Sequence, residues 1–96
     1  MKAKTTIISE NCMIGGKSVI GEHSRIFKSC IGRNCKIGDN VLIENSIIWS
    51  NVEIASGCRI IYSIICDNVI IGPNCDVPRG CVLSFGVSVK PDVKLD

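Results

Sequence analysis

The chain has 96 residues and a formal net charge of +2, and it is 46% hydrophobic but only 4% aromatic. That length suits one domain, the small charge leaves no electrostatic footprint for direct nucleic-acid binding, and any core must be built from aliphatic side chains. Seven cysteines and a single histidine, His23, argue against a disulfide framework and against a zinc site, so neither a metal nor another cofactor is expected.

The first twelve residues contain no apolar signal-peptide core, and no apolar run anywhere approaches the ~20 residues of a membrane helix. A soluble, cytoplasmic chain without a membrane partner is the expectation. From Ile8 a periodic pattern begins. Aliphatic residues recur six apart at Ile8, Ile14, Ile20 and Ile26, then a five-residue step leads to Ile31, Ile37 and Ile43. A second five leads to Ile48, Ile54 and Ile60, and a third to Ile65, Ile71, Val77, Leu83, Val89 and Leu95. Neither the 3.6-residue helix period nor simple strand alternation gives this spacing. A three-sided coil does, with one short strand and one corner per unit. The reading is all-β: a left-handed parallel β-helix of hexapeptide repeats, about five triangular coils stacked at the strand spacing into a prism ~25 Å long. The handedness rests on likeness to known hexapeptide proteins.

Two further columns obey the same register. Two residues before each key aliphatic stands a small or β-branched residue, from Thr6 and Cys12 through Ser46 and Cys58 to Val93, where strand alternation turns it inward. Five cysteines (Cys12, Cys35, Cys58, Cys75 and Cys81) fall in that column and read as small hydrophobes. Three residues after most key aliphatics stands Asn, Asp or Gly, which tolerate the left-handed backbone of a sharp corner; Lys17 and His23 depart from this.

The residue just before each key aliphatic should face out. On the second side it reads Val19, Lys36, Glu53, Ile70, and on the third Arg25, Leu42, Arg59, Asp76. On the first side it reads Cys30, Ile47, Ile64, Val82, apolar throughout. Trp49 and Cys66 follow on that side, and Ile61 and Tyr62 lie at its approach. These eight residues form the candidate protein interface. No catalytic residue is expected. A small acyltransferase is the competing reading, with His23 as its one candidate base; a third is the oligomerisation domain of a sugar-nucleotide pyrophosphorylase. The sequence holds no phosphate loop and no paired catalytic acids.

The segments Asn45–Ile54 and Ser63–Asn68, with Cys30–Val41 before them and Pro78–Ser84 after, resemble the epsilon subunit of eukaryotic translation initiation factor 2B, over roughly residues 11 to 96. The tryptophan-bearing coil and Ile64-Ile65-Cys66-Asp67-Asn68 are the more specific elements. The resemblance implies the β-helix that lies between a pyrophosphorylase-like domain and a C-terminal helical domain carrying guanine nucleotide exchange. This chain would then be a non-enzymatic fragment of a longer subunit. Its partners would be other subunits of the exchange factor, chiefly gamma, with initiation factor 2 as a further contact. Gamma has a related β-helix; the Trp49 coil and the Leu83-Ser84 ending favour epsilon.

Overall fold

The computed structural model describes residues 6–94. Within them the chain forms strands of two or three residues, numbered β1 to β15 in chain order, each followed by a corner. Three five-stranded parallel sheets result. The first comprises β2 (Met13–Ile14), β5 (Cys30–Ile31), β8 (Ile47–Ile48), β11 (Ile64–Ile65) and β14 (Val82–Leu83). The second comprises β3 (Val19–Ile20), β6 (Lys36–Ile37), β9 (Glu53–Ile54), β12 (Ile70–Ile71) and β15 (Ser88–Val89). The third comprises β1 (Ile7–Ile8), β4 (Arg25–Phe27), β7 (Leu42–Glu44), β10 (Arg59–Ile61) and β13 (Asp76–Val77). Every third strand pairs, so each coil contributes one strand to each sheet. This is the expected left-handed parallel β-helix of about five coils, measuring 30 × 20 × 19 Å.

Register follows the aliphatic ladder. Ile14 stacks on Ile31, Ile31 on Ile48, Ile48 on Ile65 and Ile65 on Leu83. Ile37, Ile54 and Ile71 align in the second sheet, and Ile26, Ile43, Ile60 and Val77 in the third. From Ile20 to Val89 every key aliphatic is buried, while Ile8 and Ile14 in the first coil are partly covered. Each isoleucine withdrawn from water contributes about 1.5–3 kcal/mol. Leu95 lies outside the described residues.

The corners show why the spacing alternates. In six-residue units the left-handed residue is the third after the key aliphatic, as at Asn34, Asn40, Asn51, Gly57, Asn68 and Asn74. Lys17 and His23 adopt the same backbone, with φ of 63° and 59°. In five-residue units it is the second, at Lys28, Asn45 and Tyr62. Each of those tighter corners is followed by a buried serine: Ser29, Ser46 and Ser63. Their hydroxyls donate at 2.8 Å to the carbonyls of Phe27, Glu44 and Ile61. Ser29 and Ser46 in turn accept the backbone N–H of Ser46 and Ser63 from the next coil, both at 3.1 Å. Serine thus satisfies backbone groups that the short corner would otherwise bury unpaired. In the last coil the unit lengthens to six, Gly80 takes the left-handed position, and Cys81 replaces the serine.

The inward thiols act similarly. Cys35 donates to the Trp49 carbonyl and Cys58 to the Gly72 carbonyl, both at 3.0 Å, one coil onward. Burial pushes both thiols above the ordinary value, against the opposing pull of backbone hydrogen bonds. Cys12 and Cys81 are only partly covered.

Candidate functional site

Outward residues separate the three sides by chemistry. The second sheet presents Val19, Lys36, Glu53, Ile70 and Ser88, with Lys36 Nζ and Glu53 Oε1 4.0 Å apart across neighbouring coils. The third presents Ile7, Arg25, Leu42, Arg59 and Asp76. Both are mixed, as expected, and the exposed Lys36–Glu53 pair is worth at most ~1 kcal/mol.

The first sheet presents Met13, Cys30, Ile47, Ile64 and Val82, stacked in line across five coils and all exposed. Parallel pairing with a two-residue strand leaves one side chain per coil outside, so the apolar row is continuous. Trp49 stands beside it, 51% exposed. Its backbone N–H donates to the Ile65 carbonyl at 2.8 Å, which fixes the chain under the ring.

Trp49 occupies the position directly after a key aliphatic. In the two coils below, the corresponding residues are Gly15 and Gly32. These glycines serve close approach. A Cβ on Gly32 would lie 2.8 Å from the Trp49 carbonyl carbon, and one on Gly15 would lie 2.6 Å from the Gly32 carbonyl carbon. Their bare backbone forms a floor beside the indole. The result is an apolar recess of about 540 Å³ bounded by Met13, Cys30, Ile47 and Trp49, with Ser50 at one edge.

Of the eight residues singled out from sequence, Cys30, Ile47, Trp49, Ile64 and Val82 lie on this face. Cys66 is half-buried directly above Trp49 in the same column. Tyr62 sits at the bordering corner with a left-handed φ of 45°, costly for an aromatic residue, and the Arg79 guanidinium lies 5.0 Å from its ring centroid. Ile61 is half-buried at the end of β10 in the third sheet, paired with Glu44, and is not part of the face. Sequence reading missed Met13, although Met13 precedes Ile14 just as Cys30 precedes Ile31. It also missed the recess, whose signal was Gly15 and Gly32 in one column with Trp49. Phe85, at a corner of the last coil, is exposed too.

His23 lies at the corner between the second and third sheets, remote from the apolar face. It lines a recess with Arg25, Asn40 and Leu42. No helix among the described residues is long and apolar enough to cross a membrane.

Solved structures with the same fold include N-acyltransferases. AntD from Bacillus cereus, an N-acyltransferase solved with dTDP and 3-hydroxybutyryl-CoA, superposes with a TM-score of 0.71 at 18% identity, over 99% of this chain and 72% of that one. A Bacillus cereus protein described as a candidate acetyltransferase superposes with a TM-score of 0.63 at 21% identity, over 97% and 70%. GDP-perosamine N-acetyl transferase from Caulobacter crescentus gives 0.55 at 15% identity, over 94% and 53%. At these identities the likeness is one of fold alone. No curated protein sequence matches the chain. The family model described as the EIF2B subunit epsilon LbH domain matches residues 1–95, almost the full length, and the chain therefore belongs to that family of left-handed β-helix domains.

Proposed function

We propose that this domain is a non-catalytic assembly element of the translation initiation factor 2B complex, part of a longer cytoplasmic epsilon subunit. Its first sheet docks against another subunit, chiefly gamma, and so helps to place the exchange domain against initiation factor 2. The observation that carries this reading is the chemical division of the prism. Two sides are mixed and charged, while one is apolar from the first coil to the last and bears the chain's single tryptophan. A flat apolar face with an exposed indole is the form of a protein-binding surface.

The test uses the whole epsilon subunit carrying Ile47→Asp with Ile64→Asp. Both side chains point out of the prism, so the circular dichroism spectrum should be unchanged. Recovery of gamma in a pull-down should fall at least tenfold, because two carboxylates would be desolvated in the interface. A control pair on the second sheet, Lys36→Ala with Glu53→Ala, should leave recovery unaltered. Undiminished recovery with the first pair would remove the reading.

A further inference from the structure

We infer that the lower half of the apolar face, formed by β2, β5 and β8, receives an acidic segment of its partner that carries a large apolar side chain. This rests on the reading of the face as a docking surface and specifies the chemistry of what docks there.

Two adjoining recesses carry the inference. The first is the 540 Å³ hollow beside Trp49, and no charged residue lines it. It is shallow and open to solvent, a surface on which one apolar side chain could rest against the indole. The chain leaves this recess at two stacked corners, Gly15-Gly16-Lys17 and Gly32-Arg33-Asn34, and a second, half-open recess of about 200 Å³ lies against those corners. That one is lined by Gly16, Lys17, Arg33 and Asn34, with two cations and no acid. An apolar recess whose floor residues Gly15 and Gly32 are followed in the chain by the basic corner residues Lys17 and Arg33 complements an apolar side chain followed by carboxylates.

Two details give the site a direction and a reason. Above Arg33 the same rim continues with Ser50 and then Asp67, whose Oδ1 accepts the Ser50 N–H at 2.8 Å. Negative charge therefore begins only beyond Trp49, so the acidic part of the segment lies toward the lower coils. The opposite corner carries Glu10, Lys28 and Glu44, so the excess of positive charge is confined to the rim of Lys17 and Arg33. Lys17 is also the exception in its own column. It adopts φ 63° where the coils above use Asn34, Asn51, Asn68 and Gly86. Asparagine or glycine holds that backbone more cheaply. Lys17 thus places a cation on this rim at a position whose backbone favours asparagine or glycine.

Trp49 is the sole tryptophan of these 96 residues, so in the isolated domain, once circular dichroism shows it folded, its emission reports on the recess without a label. The probe is a tryptophan-free peptide of glutamate and aspartate with one central phenylalanine. It should change Trp49 emission saturably, and less tightly as salt rises. The same peptide with lysines in place of the acids should give no saturable change. Lys17→Glu with Arg33→Glu, checked for fold by circular dichroism, should weaken the acidic peptide at least tenfold and admit the lysine peptide. The inference is overturned by an absent saturable response, by equal responses to the two peptides, or by indifference to the charge reversal. Loss of gamma recovery in the Ile47→Asp, Ile64→Asp pair without any peptide response would sink this inference alone. Full recovery in that pair would instead sink the docking reading.

Discussion

Ser46 concentrates the logic of the short corners in one hydroxyl, which donates to the Glu44 carbonyl and accepts the Ser63 N–H. Ser46→Ala leaves that buried N–H without its partner and should cost about 1–3 kcal/mol in urea unfolding. Ser88→Ala, on an exposed outward position, should cost less than ~0.5 kcal/mol. The buried thiols make a second prediction. Desolvation raises the Cys35 and Cys58 pKa in the folded chain above the ordinary 9.0 they regain on unfolding. Their stabilising contribution is thus complete below pH 9.0 and is lost progressively above it, where only the unfolded chain readily releases the protons. Between pH 8 and pH 10 the urea midpoint of the wild type should fall further than that of Cys35→Val. Valine fits because Val52 and Val69 continue the same inward column.

At the scale of the element, strands of two residues are marginal alone and are held by the stack. Ile54 lies between Ile37 and Ile71 in the middle of the second sheet. Ile54→Asp places a carboxylate in the aliphatic interior and should unfold neighbouring coils together, because each coil is stabilised chiefly by the coils it touches. Circular dichroism should show loss of the β signal in place of a local change. The strands and their register were legible in the sequence because each unit turns one large aliphatic inward at a fixed position, so Ile14, Ile31, Ile48 and Ile65 mark the coils unaided. The tighter corners were less legible. Lys28, Asn45 and Tyr62 share a left-handed backbone but no residue type, and the pattern lay in the serine that follows each. The five outward positions of the apolar face could be read from alternation once Met13 is included. The recess could not, because it depends on what Gly15 and Gly32 lack and on how closely the coils above approach them. Ile61, expected at the approach to the face, ends the three-residue strand β10 beside Glu44 in the third sheet.

For the whole molecule, geometry bounds what the face can do. Five strands at the sheet spacing span ~24 Å, and with a side about 20 Å wide the face offers roughly 500 Å². A stable interface needs about 800 Å² per partner. The isolated domain should therefore remain monomeric at micromolar concentration in sedimentation analysis, and should hold the partner's domain only weakly. In the proposed assembly, a second contact between whole subunits would raise the effective concentration, and the face would then contribute through avidity.

Cys30 offers the most direct measurement of the docking claim, since its thiol is exposed at the centre of the lower face. Its alkylation rate, read by peptide mass, can be compared between the free epsilon subunit and the assembled complex, with Lys36→Cys on the second sheet as the reference. Assembly should slow modification of Cys30 at least tenfold and leave the reference thiol reactive. Equal rates at Cys30 in the free and assembled states would contradict the assignment of this face to assembly.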